Sequence, residues 1–113
     1  MGVPILKQGD ALIASIQDAL SDTDLTELRA DLAERVGRDR ARRVIIDVTV
    51  LDVLDSFSCR VLREIVEIMR LKGSRTVIVG IQPDVAFAMV QLGLTLGDAA
   101  TALDLEEGLA YVR

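Results

Sequence analysis

The chain has 113 residues, of which half are hydrophobic and 3% aromatic, so we expect one domain spanning residues 1–113 with an aliphatic core. The net charge of −5 argues against a nucleic-acid partner, and no apolar run approaches the ~20 residues of a membrane span. With no histidine and a single cysteine, Cys59, the sequence excludes a zinc site and an internal disulfide, which suits a cytoplasmic protein.

The first predicted elements are two short strands, Val3–Lys7 and Ala11–Ile16. The short turn between them favours an antiparallel pair. A helix is predicted to begin at Ser21 or Asp22, since either side chain can accept hydrogen bonds from free backbone N–H groups. Leucines then recur at helical spacing, and Gly37 is the predicted end of this helix.

An arginine cluster leads into the next strand. It comprises Arg38, Arg40, Arg42 and Arg43. We interpret it as a solvated entry loop, with a binding patch as the alternative. The β-branched run Val44–Thr49 that follows is typical of a central strand covered on at least one face.

The segment Val61–Leu71 has the pattern of an amphipathic helix. The predicted buried face is Val61, Leu62, Ile65, Val66 and Met69. The outer face offers two charge pairs at i,i+4 spacing, Arg60–Glu64 and Arg63–Glu67.

The last third of the chain predicts a third buried strand over Thr76–Gly80 and a helix opened by Pro83 and ended by Gly93. The predicted inward positions of that helix are Val85, Ala86, Met89 and Val90. The segment Leu94–Ala100 fits either a short edge strand or a loop.

Thr101–Asp104 resembles a capping box with Asp in the usual Glu position, which would open a last helix. That helix is predicted to bury Leu105, Leu109 and Val112. The alternation of strands and helices indicates an α/β fold, with a mixed, mostly parallel sheet, an antiparallel N-terminal edge and about four helices.

The candidate site is Asp55-Ser56-Phe57-Ser58, at the junction between the Val44–Thr49 strand and the following helix. In parallel α/β sheets, functional groups gather at the carboxyl ends of strands. Two interpretations remain open from the residues alone. Ser56 or Asp55 caps the helix, a contribution of about 1 kcal/mol, or Ser56 is a phosphorylation site whose charge switches the binding of a partner.

Catalysis by this chain has little support in the sequence. The usual neutral-pH base, histidine, is absent, and no phosphate-binding glycine motif occurs. An enzyme built on Asp47, Asp52 or Asp55 would need a pocket with perturbed carboxylates. We therefore predict a non-catalytic protein without a cofactor or a metal.

Short motifs along almost the whole chain resemble the RsbS-type stressosome proteins of the STAS domain family, the fold of anti-sigma-factor antagonists. They are Ile5-Leu6-Lys7, Ser15-Ile16-Gln17, Ile46-Asp47-Val48-Thr49, Asp55-Ser56-Phe57, Gly80-Ile81-Gln82-Pro83 and Thr101-Ala102-Leu103-Asp104-Leu105-Glu106. The Gly-Ile-Gln-Pro run is fairly specific to that branch.

The resemblance implies a scaffold with RsbR-type partners that sequesters an RsbT-type serine kinase and regulates a stress-response pathway, through a sigma factor or a second messenger. Ser56 matches the serine that the kinase phosphorylates, with Ser58 as a minor alternative. Asp55 to Ser58 then form the partner-binding site, and self-association is expected. The alternative is an anti-anti-sigma factor that binds an anti-sigma kinase directly.

One departure favours the stressosome branch over the simpler antagonists. Those resemble Asp-Ser-Ser/Thr-Gly-Leu-Gly, whereas this motif continues Phe57-Ser58-Cys59-Arg60. A bulky apolar residue, a hydroxyl and a cation thus stand where those antagonists have small residues, on the surface that a partner meets.

Overall fold

The computed structural model describes residues 2–111 and contains five strands and four helices in that range. The strands are β1 Ile5–Gln8, β2 Ala11–Ser15, β3 Arg43–Asp47, β4 Arg75–Val79 and β5 Ala100–Ala102. The helices are α1 Asp22–Asp39, α2 Ser56–Leu71, α3 Pro83–Leu92 and α4 Leu105–Ala110.

The strands form one sheet in the order β1-β2-β3-β4-β5. β1 and β2 are antiparallel, and the other neighbours are parallel. The predicted mixed α/β fold with an antiparallel N-terminal edge is therefore confirmed. Because β2, β3, β4 and β5 run the same way, the loops after them lie along one edge of the sheet.

Successive strand residues face opposite sides of the sheet, so the core has two layers. The two layers differ in size. Val44, Ile46 and Ile78 join the larger cluster with the buried residues of α1 and α2. Ile45 and Val77 belong to a smaller cluster beneath α4. α4 comes close to the sheet because Gly108 has no side chain; a Cβ there would lie 2.7 Å from Cγ1 of Val79.

The α1 helix begins where the sequence predicted and ends later. The Ser21 hydroxyl accepts from the Asp24 N–H, and the Asp24 carboxylate accepts from the Ser21 N–H, which completes a capping box. The predicted end at Gly37 is wrong, because the helix runs on to Asp39. Arg40 ends it in a left-handed conformation with φ 52°. The arginine cluster is thus divided among the end of α1, its cap and β3, and it is not a loop throughout.

The predicted buried face of α2 is confirmed, and its predicted charge pairs are wrong. Glu64 instead pairs with Arg29 of α1, and Glu67 pairs with Arg70. Arg63 donates to the backbone oxygen of Thr95 at 2.9 Å. In the predicted pairs the arginine precedes the glutamate along the helix, which is the weaker orientation. The observed partners lie on neighbouring elements or three residues away.

The α3 helix buries less than its sequence predicted. Val85 and Met89 are buried, whereas Ala86 is exposed and Val90 is 79% exposed. α3 meets the core through a narrow stripe one turn long, so the flanking apolar positions face outward. Its predicted end at Gly93 is confirmed, with φ 68°.

The segment after α3 is a loop up to the residue before Ala100, where β5 begins. The predicted capping box at Thr101–Asp104 is wrong, because Thr101 pairs with Ile78 in the sheet. Asp104 is the cap of α4 and accepts from the Glu107 N–H at 2.9 Å.

The predicted burial of the last helix is met only in part. Leu105 and Leu109 are half-buried against the smaller cluster, and Val112 lies outside the described residues. Within residues 2–111, no helix is long and apolar enough to cross a membrane.

Candidate functional site

The connection from β3 to α2 starts with a turn that Asp47 holds. One oxygen of the Asp47 carboxylate accepts from the Thr49 N–H at 3.0 Å and from the Thr49 hydroxyl at 2.6 Å. The Gln82 side chain donates to the Thr49 carbonyl at 2.7 Å. Asp47, considered above as a catalytic carboxylate, is thus part of the turn that directs the chain toward α2.

Gly80 fits tightly against the same turn. It has φ +82°, and a Cβ at this position would lie 1.9 Å from the Thr49 hydroxyl. Only glycine combines this conformation with this approach. The loop after β4 therefore supports the loop after β3, a contact that the sequence pattern did not predict.

Asp55 is the N-cap of α2. Its carboxylate accepts from the Ser58 N–H at 2.8 Å, and its backbone carbonyl accepts from the Cys59 N–H at 2.9 Å. The hydrogen bond from Ser58 lowers the pKa of the Asp55 carboxyl below its ordinary value. Of the two capping residues that the sequence left open, Asp55 takes the role, and Ser56 is the first residue of the helix.

The four residues of the predicted site differ in exposure. Asp55 and Ser56 are exposed, whereas Phe57 and Ser58 are half-buried. Phe57 packs against the larger core cluster, and the Arg60 guanidinium carbon lies 5.2 Å from the centre of its ring. The structure thus presents the Ser56 hydroxyl at the surface on a turn that Phe57 anchors to the core.

A groove of about 440 Å³ lies beside this turn, at the carboxyl edge of the sheet. Asp55 and Ser58 line it together with the loops after β2 and β3. Its acidic residues are Asp18, Asp52 and Asp55, and no lysine or arginine is among its lining residues. Val53 is 69% exposed, which adds apolar surface to an acidic rim.

The loop after β2, residues 16–20, was missing from the predicted site although it forms one wall of the groove. The signal was present in the sequence, because a strand parallel to β3 and next to it must end at the same edge. Recognising it required the order of the strands, which the pattern of single elements does not specify.

The chemistry of the groove is that of a surface for binding. Within the described part of the chain, no group of three or more His, Cys, Asp or Glu residues could hold a metal ion. The lowered pKa keeps Asp55 ionised at neutral pH, so it is a hydrogen-bond acceptor and not a proton donor. Cys59 is buried, and burial raises the pKa of its thiol, which makes it unreactive.

Comparison with known proteins gives consistent matches. The family model for the STAS domain matches residues 3–106. RsbRA of Bacillus subtilis (strain 168), named an RsbT co-antagonist protein, is 30% identical over 79 residues, which are 70% of this chain. The matched region is 29% of RsbRA, so this chain corresponds to less than a third of that relative.

Two solved structures are similar over nearly the whole chain. A serine-to-glutamate variant of RsbS from Moorella thermoacetica is 35% identical, with a TM-score of 0.82 and coverage of 96% of this chain and 92% of that one. A chain from a structure describing the molecular architecture of the stressosome, a signal integration and transduction hub, is 36% identical. Its TM-score is 0.80, and the match covers 95% of this chain and 93% of that one.

Proposed function

The chain belongs to the STAS domain family, and on that premise we propose that it is a stressosome scaffold that retains an RsbT-type serine kinase and releases it when Ser56 is phosphorylated. The observation that carries the proposal is the position of Ser56. It is exposed at the first residue of α2, directly after the Asp55 cap and at the carboxyl edge of the sheet.

The relatives support the classes of partner. RsbRA is named for joint antagonism of RsbT, which suggests an RsbT-type kinase as the retained protein and an RsbR-type protein as the co-scaffold. The similar chain from the stressosome structure suggests self-association within an assembly. In this proposal the chain does not catalyse a reaction; it binds the kinase through the groove and is itself the substrate that the kinase phosphorylates.

The start of α2 can accommodate a phosphate on Ser56. The Ser58 N–H already donates to Asp55, while the N–H groups of Ser56 and Phe57 donate to no acceptor within residues 2–111. Free N–H groups and the helix dipole favour an anion at this end of a helix. The fold should therefore survive phosphorylation, and the effect should fall on the partner.

The surroundings of Ser56 explain how a phosphate would displace a bound kinase. A phosphate adds about −1.5 to −2 charge at neutral pH. It would lie next to Asp55, beside a groove whose lining holds Asp18, Asp52 and Asp55 and no lysine or arginine. A kinase surface packed against a neutral Ser56 and the apolar Val53 would then cover an unpaired charge, which is costly. Release follows from local electrostatics and desolvation.

Ser58 is the less suitable acceptor on the same turn. Its side chain is half-buried and lines the groove, and its N–H is held by Asp55. Its hydroxyl is therefore less accessible to a kinase than that of the exposed Ser56. The geometry therefore favours Ser56 over Ser58.

Mapping the phosphate tests this assignment. The chain, Ser56→Ala and the matched variant Ser58→Ala are each incubated with an RsbT-type kinase and ATP, and the modified residue is located by mass spectrometry. We expect one phosphate on Ser56 in the parent and in Ser58→Ala, and none in Ser56→Ala. Full phosphorylation of Ser56→Ala would overturn the assignment.

A further inference from the structure

A second groove lies at the opposite edge of the sheet from Ser56, at the amino ends of β3 and β4. Its volume is about 540 Å³. It is lined by Asp10, Arg42, Arg43, Arg70, Gly73, Ser74 and Arg75. Since a five-residue strand spans roughly 13 Å, this groove is separate from the proposed kinase site.

Two of the four guanidinium groups are already neutralised. Arg43 donates to the Asp10 carboxylate at 3.0 Å, and Arg70 pairs with Glu67. Arg43 also donates to the backbone oxygen of Tyr111 at 3.1 Å, so it holds the end of the chain that follows α4. These two arginines have structural partners and form the walls of the groove.

The other two arginines form no ion pair with an acidic side chain of the described residues, although, besides the hydrogen bond from Arg43, the charge of Arg42 helps to lower the pKa of Asp10. Arg75 donates to the Tyr111 hydroxyl at 3.1 Å and stacks on its ring, both neutral partners. Arg42 is exposed and forms no ion pair in the same range. The two residues are adjacent, because the Arg75 N–H donates to the Arg42 carbonyl at 2.9 Å.

A buried hydroxyl without a partner lies in the same wall. Ser74 is 5% exposed, and its Oγ forms no hydrogen bond with any residue of the described range. An unmade hydrogen bond in a buried group costs free energy. Ser74 is among the residues that line the groove, so an anion bound there is a candidate partner for this hydroxyl.

From these contacts we propose that the arginine groove is an anion-binding site for a ligand bearing phosphate or carboxylate groups. Arg42 and Arg75 supply two guanidinium groups outside any ion pair of the described residues, whose planar donor pairs match the oxygens of such anions. Ser74 supplies a neutral donor. Of the arginine cluster, only Arg42 would thus take the binding role that was the alternative to a solvated entry loop.

Titration with inorganic phosphate at constant ionic strength tests the site by amide NMR spectroscopy. We expect saturable shifts at Arg42, Gly73 and Arg75 that are centred on the groove. The double variant Arg42→Gln, Arg75→Gln should weaken phosphate binding at least about tenfold, because it removes both charged donors of the site. Ser74→Ala should weaken it by a smaller factor.

The control is Arg38→Gln, which removes an exposed arginine that pairs with Asp39 and does not line the groove. It should bind phosphate as the parent does. Unsaturable shifts, shifts centred on the start of α2, or equal affinity in the double variant would each overturn the proposal. Dispersed NMR spectra show whether each variant is folded. If the double variant is unfolded, the single variant Arg42→Gln is compared with the parent instead.

A second arm identifies the source of the anion. Sedimentation in phosphate-free buffer compares the parent with the double variant. Salt-sensitive self-association that the variant loses would indicate carboxylates of a second copy, whereas a phosphate-binding monomer would indicate a small free anion. Phosphorylation of Ser56 plays no part in either arm, so failure of this site leaves the proposed function untouched.

Discussion

At the scale of single residues, Asp55 and Ser56 have different tasks at the start of α2. Asp55 satisfies the Ser58 N–H and fixes the turn, while Ser56 projects an exposed hydroxyl from the next position. Because the cap does not depend on Ser56, a kinase can modify that hydroxyl without unwinding the helix. The proposed phosphate would thus leave the hydrogen bond between Asp55 and the Ser58 N–H in place.

The capping role predicts a loss of stability on replacing Asp55. Asp55→Ala should lower the free energy of unfolding by about 1 kcal/mol at pH 7, measured by urea denaturation. Asp52→Ala is the control, since Asp52 is exposed on the same loop and does not cap a helix. Equal losses in the two variants would contradict the capping role.

The same cap has a defined pH dependence. The hydrogen bond from Ser58 lowers the pKa of Asp55 in the folded state, so its contribution to stability is complete above the unfolded pKa of about 3.9. The contribution disappears as the pH falls through the lower, folded-state pKa. The difference between the parent and Asp55→Ala should therefore hold from pH 7 to about 4 and shrink below that.

At the scale of elements, two helical glycines have opposite roles. Gly37 lies inside α1, where the nearest atom that an added Cβ would meet is Nζ of Lys72 at 3.8 Å. Gly108 lies in α4, where a Cβ would come within 2.7 Å of Val79. The first position tolerates a side chain, and the second is where the helix packs against the sheet.

The two glycine-to-alanine substitutions should therefore change stability in opposite directions. Gly37→Ala should raise the free energy of unfolding by about 0.5–1 kcal/mol, because alanine has the higher helix propensity. Gly108→Ala should lower it by roughly 1–3 kcal/mol, the range for overpacking, despite the same gain in propensity. Thermal denaturation of both variants measures this, and stabilisation by Gly108→Ala would disprove close packing of α4.

The elements were predictable from sequence where one local signal decided them. Continuous β-branched runs identified β3 and β4, and helical spacing identified the buried face of α2. Features that depend on a distant neighbour were missed. Glu64 pairs with Arg29 of another helix and not with Arg60. Position 80 must be glycine because Thr49 of another loop lies too close for a side chain.

Local glycine rules also failed at α1, where Arg40 adopts the left-handed conformation in place of Gly37. For the candidate site, the sequence located the turn and its hydroxyl and did not reveal the wall formed by residues 16–20. These details depend on contacts between residues far apart in the chain. The local pattern of a single sequence does not show such contacts.

At the scale of the whole molecule, charge is segregated along the strand direction. The groove at the carboxyl edge brings Asp18, Asp52 and Asp55 together with no lysine or arginine in its lining, and the amino edge gathers arginines around Arg42 and Arg75. The sequence already shows the bias, since no lysine or arginine occurs in residues 44–59 or 76–112. The two edges therefore offer surfaces of opposite charge to different partners.

The proposed scaffold role predicts a large assembly. Mixed with an RsbR-type protein, the chain should elute from size-exclusion chromatography in a particle of many subunits, with its mass measured by light scattering. The chain alone is the control. A stable one-to-one complex with an anti-sigma kinase and no large particle would instead favour direct capture of such a kinase.

The central claim is that the charge state of Ser56 controls retention of the kinase. Affinity for an RsbT-type kinase is measured by isothermal titration calorimetry for the parent, Ser56→Asp, Ser56→Ala and the matched control Ser58→Asp. We predict that Ser56→Asp weakens binding at least about tenfold, a cost of roughly 1.4 kcal/mol for one covered charge, while Ser56→Ala binds as the parent does. Unchanged affinity of Ser56→Asp, or a larger loss in Ser58→Asp, would contradict the account.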